Sequence, residues 1–157
     1  MTVYIGVDLH KTQFTVHERT EETVESIEQI KQYPTTEVGY AAFLARITEY
    51  KIGGFTVKIG VESTGNTRFF KAQVEKVGAH VTVINTLKFK VINESTKKTD
   101  KHDASTISEF LSKDMLPESY LCRKETENLR RLLKSRERLV HSIVGQKNEI
   151  HALLVSM

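Results

Sequence analysis

A chain of 157 residues is long enough for one domain with its own core and a further appendage. Hydrophobic residues make up 39% and charged residues 27%, ordinary for a globular protein, and no apolar run approaches the ~20 residues that cross a bilayer. A net charge of +3 is too small to identify a nucleic-acid binder by itself, and the single cysteine, Cys122, excludes an internal disulfide framework and a cysteine-built zinc site.

The first segment, Val3-Tyr4-Ile5-Gly6-Val7-Asp8-Leu9, is short, β-branched and apolar, the pattern of a buried strand. Its apolar stretch starts without a basic lead and is interrupted by Asp8, unlike a secretory leader, so a cytoplasmic location is expected. After a turn at His10-Lys11, residues 12–19 alternate apolar Phe14 and Val16 with polar neighbours and predict a second strand in a hairpin. Residues 23–33 predict a third, whose glutamates suit an exposed edge.

Pro34 punctuates the chain, and Thr36 is a natural N-cap for a helix over residues 37–50, with Ala41, Leu44 and Ile47 at helical spacing. Gly53-Gly54 closes that unit. Residues 55–61 predict a fourth, central strand that runs into Glu62-Ser63-Thr64-Gly65. A helix over residues 67–77 ends at Gly78, and residues 80–84 predict a fifth strand. Three strands, then helix, strand, helix and strand is the order of a ribonuclease H-like α/β fold, a mixed sheet with flanking helices.

Residues 86–102 read as a polar, lysine-rich stretch, followed by a helix over residues 103–112. Pro117 marks a boundary between a domain over residues 1–116 and a helical region over residues 117–157. From Glu125 onward there is no proline, so one long helix is expected, on the order of 50 Å at ~1.5 Å per residue. Leu129, Leu133, Arg136, Val140, Ile143, Lys147, Ile150 and Leu154 follow 4-3-4-3 spacing, which fits a coiled-coil seam better than a helix lying on its own small domain. The chain stops inside this pattern and is therefore expected to be a fragment of a longer protein.

Two strand ends carry carboxylates, Asp8 and Glu62. A carboxylate at the end of a buried strand costs several kcal/mol to desolvate unless it is paired or binds a metal. Alone, either acid is a solvated strand end; on neighbouring strands, both project from one edge. Asp100 and Asp103, in Lys98-Thr99-Asp100-Lys101-His102-Asp103-Ala104, share one face if the segment is helical. The bland alternative is that Asp103 caps a helix beside a solvated charge run. Together the four acids make a hard-oxygen site suited to Mg²⁺ or Mn²⁺, of the kind that cuts nucleic acid.

Charge distribution supports that reading. Residues 1–78 hold 9 Lys/Arg against 10 Asp/Glu, whereas residues 79–157 hold 14 against 10. Lys88, Lys90, Lys97, Lys98 and Lys101 are placed to hold a polyanionic backbone beside Asp100 and Asp103. His10 and His102 adjoin site acids and either orient a carboxylate or sit at the surface. Tyr4 and Phe14 are expected in the core, and Phe69 and Phe70 also, unless one is exposed to stack on a base.

Three blocks, Gly6-Val7-Asp8-Leu9-His10-Lys11, Glu62-Ser63-Thr64-Gly65 and Lys98-Thr99-Asp100-Lys101-His102-Asp103-Ala104, resemble in order and spacing the motifs of the DEDD-type insertion-sequence transposases, relatives of the Piv and MooV invertases. The resemblance covers essentially the whole chain. It implies a RuvC-like N-terminal domain whose tetrad Asp8, Glu62, Asp100 and Asp103 binds Mg²⁺, followed by a coiled coil used in assembly. DNA is the implied substrate, with a guide RNA in some members and a homo-oligomer, dimer or tetramer, as the working form. It further implies a serine in a separate C-terminal domain, beyond the end of this chain. Ser63, Ser105 and Ser108 lie near the acids, and nothing in the sequence marks one as a nucleophile. Two other readings compete: a non-catalytic nucleic-acid-binding and oligomerisation module, and an actin-like ATPase fragment suggested by Gly6-Val7-Asp8 followed by Lys11-Thr12.

Overall fold

β-Branched and aromatic residues dominate Thr2–Leu9 (β1) and Gln13–Thr20 (β2). A short turn joins them, closed by the His10 N–H donating to the Gln13 carbonyl at 3.0 Å. The computed structural model describes residues 1–20, 29–92 and 100–156, and only the backbone of residues 29, 90–92, 100 and 101. The third strand, Gln29–Pro34 (β3), pairs antiparallel with β2. The earlier part of that expected strand, residues 23–28, lies outside the described residues. Thr56–Glu62 (β4) runs parallel to β1, and His80–Ile84 (β5) parallel to β4, giving a mixed five-stranded sheet in the order β3-β2-β1-β4-β5. This order, with its antiparallel and parallel halves and flanking helices, is a ribonuclease H-like α/β fold.

Two helices fill the connections as expected. Glu37–Ile52 (α1) starts at Thr36, whose hydroxyl accepts from the Gly39 N–H at 3.3 Å. Thr67–Glu75 (α2) is shorter than its pattern, because the chain turns down to Gly78, which takes a left-handed φ of 70°. The Lys51 ammonium donates to the Val77 and Gly78 carbonyls at 2.7 and 3.1 Å and ties the end of α1 to that turn.

The lysine-rich stretch, to which the sequence assigns no element, opens with one, and its residues 93–99 lie outside the described residues. Thr86–Ile92 is a helix (α3), with the Asn85 side chain accepting from the Lys88 N–H at 3.2 Å and Phe89 buried beneath it. Its signals are one capping residue and one buried aromatic, too little to register as periodicity. The next helix, Asp100–Ser112 (α4), begins three residues earlier than its apolar pattern. Asp103 therefore lies inside its first turns and does not cap it.

The chain divides into two compact units, Met1–Tyr120 and Leu121–Met157. Residues 117–119 lie in the first unit and are tied to β5. The Asn85 N–H donates to the Pro117 carbonyl at 2.8 Å, the Ser119 N–H to the Val83 carbonyl at 2.7 Å, and Ile84 bridges to Glu118. The second unit contains the 33-residue helix Lys124–Ser156 (α5). None of its residues is buried, and Leu129, Leu133, Val140, Ile143, Ile150 and Leu154 all stand exposed along it. Among the described residues no helix is long and apolar enough to cross a membrane.

Strand alternation gives the sheet two unlike faces. One is apolar: Val3, Ile5, Val7 and Leu9 of β1 share it with Phe14 and Val16 of β2 and with Val57, Ile59 and Val61 of β4. Here Phe14 packs against Tyr40 and Phe43 of α1 and Phe70 of α2, with ring centroids 5.3 to 5.6 Å apart. Phe70 is fully buried whereas Phe69 is 56% exposed, its ring edge-on to Tyr40. Glu18 brings a buried charge to this face, paired with Arg46 of α1 at 3.2 Å and hydrogen-bonded by the Tyr50 hydroxyl.

Burial first, and then the Glu18 hydrogen bond and charge, raise the Tyr50 pKa well above the ordinary phenol value. Because the folded value is the higher one, this contribution to stability is complete below the unfolded pKa of about 10 and drains away as pH climbs through the folded value. Ultraviolet titration of the native protein should show Tyr50→Phe losing one late-ionising phenol. Superimposable curves for wild type and variant in the alkaline range would contradict this.

Candidate metal centre

The opposite face of the sheet is polar and carries α4. Tyr4, Gly6 and Asp8 of β1 share it with Thr15, His17 and Arg19 of β2 and with Lys58, Gly60 and Glu62 of β4. Two glycines make room for the helix, and they are partners in the register, Gly6 opposite Gly60. A Cβ on Gly6 would stand 2.0 Å from the Ala104 carbonyl oxygen and 2.5 Å from the Ser108 nitrogen. One on Gly60 would meet the side-chain ends of Ile107 and Leu116 at 2.9 Å. The backbone of α4 thus rests directly on β1, and glycine in the middle of a strand marks that close approach.

Asp8 and Glu62 occupy matching places in the same register. Each lies two residues beyond its glycine on the α4 face, one position past the Val7–Val61 pair. Neighbouring strands lie about 4.8 Å apart, so the two acids stand side by side at the rim of the sheet. Asp8 is only 8% exposed, and the His10 Nε2 lies 2.9 Å from its Oδ2. The hairpin turn therefore supplies a partner to the more buried acid. Glu62 is half-buried, and the chain leaving it is fixed by Thr67, whose hydroxyl donates to the Glu62 carbonyl at 2.6 Å and accepts from the Thr64 N–H at 2.7 Å.

The second pair of acids comes from α4. Asp103 directly precedes Ala104, the residue seated on Gly6, and is half-buried. Asp100 opens the helix, and its side chain lies outside the described residues. Among the described residues no three Asp, Glu, His or Cys groups stand close enough together to hold an ion. Like charges repel at short range, so carboxylates of this kind draw together around a cation rather than around one another. As a donor set, carboxylates at one rim with a histidine beside them suit a hard divalent ion that keeps water in its shell.

Of the lysines, Lys88 is exposed on α3. Lys90 and Lys101 are placed by backbone alone, on α3 and α4, while Lys97 and Lys98 lie outside the described residues. His102 is exposed.

Sequence reasoning gave no packing role to three residues of this face: Gly6 and Gly60, whose signal was a glycine inside each β-branched strand, and His17. The His17 ring is fully buried, and its Nδ1 lies 2.7 Å from the hydroxyl of Ser108, also fully buried. Nothing in the local sequence of His17 announces a partner 91 residues away. That burial also removes Ser108 from the serines open to a substrate.

No curated protein matches the chain by sequence. Among solved structures, RuvC of T. thermophilus in complex with a Holliday junction substrate is 10% identical, with a TM-score of 0.47 over 76% of this chain and 100% of that one. A second Thermus thermophilus RuvC structure is 11% identical, with a TM-score of 0.44 over 74% of this chain and 99% of its own. The model of the IS110 DEDD transposases, described as "Transposase", covers residues 5–157. The chain belongs to that transposase family.

Proposed function

We propose that this chain is the metal-dependent catalytic domain of a DNA transposase and recombinase, in which Asp8, Glu62, Asp100 and Asp103 hold Mg²⁺, or Mn²⁺ in its place. The observation that carries this reading is the register. Asp8 and Glu62 emerge side by side on the face where α4 rests on Gly6 and Gly60, with Asp103 next to the point of contact. A divalent ion bound there would polarise a phosphate and lower the pKa of a coordinated water. The chain's own groups do the rest. His10 orients the Asp8 carboxylate from the solvent side, and the half-buried setting of Glu62 and Asp103 leaves room for a phosphate.

DNA is the substrate, held electrostatically by Lys88, Lys90, Lys97, Lys98 and Lys101, so binding weakens as salt rises. The place of action is the cytoplasm, where the DNA lies.

Mn²⁺ binding by the purified chain tests the centre, read by calorimetry or by the ion's paramagnetic resonance. Wild type should bind, and Asp8→Asn and Asp103→Asn should each weaken binding by about ten-fold or more. Equal binding by all three would remove the metal centre and leave a non-catalytic nucleic-acid-binding module.

Association belongs to α5. Its exposed apolar residues at 4-3-4-3 spacing fit a coiled coil that joins copies into a dimer or tetramer. Sedimentation of the full chain should give a multiple of the monomer mass, and a chain ending at Tyr120 a monomer. Monomers in both cases would end that reading.

A further inference from the structure

We infer that His17 is a positioning residue for the metal centre, acting through Ser108 to fix the register of α4 against the sheet. This rests on the metal-centre reading above and adds to it a residue that touches neither the ion nor the substrate.

The direction of the bond is set by the hydrogen-bond network. The Ser108 hydroxyl donates to the Ser105 carbonyl at 2.8 Å, which uses its one proton. Its oxygen must then accept from His17, so Nδ1 carries the proton in the 2.7 Å contact. Both side chains are fully buried, so losing either partner leaves a polar group in a dry interior.

The position of the bond matters as much as its strength. His17 lies opposite Gly6 in the β1–β2 pairing, and Gly6 is where the backbone of α4 touches the sheet. A glycine seat is smooth. Gly6 and Gly60 bring the helix close without saying how far it slides along the strands or turns about its axis. The other α4 groups at this seat, Ile107 and Leu111, are apolar and make non-directional contacts. The His17–Ser108 bond is directional, and it joins β2 to α4 in the middle of the contact. One residue of rotation is about 100° on a helix, enough to swing Asp103 away from the rim that carries Asp8 and Glu62. The bond thus turns a close contact into a defined one, and the site needs the defined one.

The experiment uses the 157-residue chain and four proteins: wild type, His17→Leu, Ser108→Ala and His17→Asn. An asparagine side-chain amide can stand where Nδ1–H stands, so His17→Asn restores the donor without the ring. Two readouts are taken, Mn²⁺ affinity and amide hydrogen exchange resolved to α4 and to α1. The expected result is a Kd for Mn²⁺ raised about ten-fold or more in His17→Leu and Ser108→Ala. Exchange should quicken in α4 while α1 stays protected, and His17→Asn should recover most of both.

Affinity and α4 exchange in His17→Leu equal to wild type overturn the proposal. So does a loss in His17→Asn as deep as in His17→Leu, which would mean that the ring's bulk and not its N–H is what matters. If wild type itself binds no Mn²⁺, the metal-centre reading falls with it. The exchange arm still decides the lock: α4 released by His17→Leu and retained by His17→Asn upholds it, and α4 unchanged refutes it.

Discussion

Gly6→Ala is expected to destabilise the protein by on the order of 3 kcal/mol, a large share of the 5–15 kcal/mol typical of a domain. The added methyl would lie 2.0 Å from the Ala104 carbonyl oxygen and 2.5 Å from the Ser108 nitrogen, both backbone atoms of a helix. A flexible side chain could swing away; a helix backbone has to move as a body. The relief open to the protein is to lift α4, which also strains the His17–Ser108 bond. Gly60→Ala is the graded control. Its methyl meets side-chain methyls and no backbone, Ile107 Cγ2 and Leu116 Cδ1 at 2.9 Å, so a smaller cost of about 1–2 kcal/mol is expected. Urea unfolding checks both: the midpoint should fall for each variant, much further for Gly6→Ala. Equal costs, or a loss at Gly6 below about 0.5 kcal/mol, would mean that α4 does not rest on β1 as described.

The second large effect lies on the other face. Arg46→Met should cost about 3 kcal/mol, the lower end of the penalty for removing one partner of a buried ion pair. The Glu18 side chain is 3% exposed, and Arg46 bonds one of its oxygens at 3.2 Å. No described group bonds the other. Burial works against the charge on Arg46, but the Glu18 hydrogen bond and charge, with help from Glu49, outweigh it and raise the guanidinium pKa. The figure stays at the lower end because the Arg46 side chain keeps 28% of its exposure, so water shares in the pairing. Removing both charges, as Glu18→Leu with Arg46→Met, should recover much of the loss, since an apolar pair leaves no stranded carboxylate. A double variant as unstable as Arg46→Met alone would show that the loss comes from packing around the Arg46 stem rather than from Glu18.

Much of the fold was legible because its signals are local. The β-branched runs of β1 and β4, the Thr36 cap of α1 and the left-handed Gly78 are each contained in a few consecutive residues. The unread helix, α3, has one capping contact from Asn85 and one buried ring, Phe89, and is held by what packs on it rather than by its own pattern. The start of α4 was misplaced by three residues because Asp103 carries a capping side chain without occupying the capping position.

The amino-acid sequence alone determined which residue types are present for the chemistry, the order of strands and helices, and the family to which three short motifs point. Those properties are written in composition, periodicity and spacing. Only the tertiary structure decided that Asp8 and Glu62 share a face as well as an edge, because strand register is set by pairing between distant segments. It alone showed that two strand glycines are the seat of α4 and that His17 reaches Ser108. Contacts of that kind join residues far apart in the chain, and a helix finds its place on a sheet only through the shapes of both surfaces.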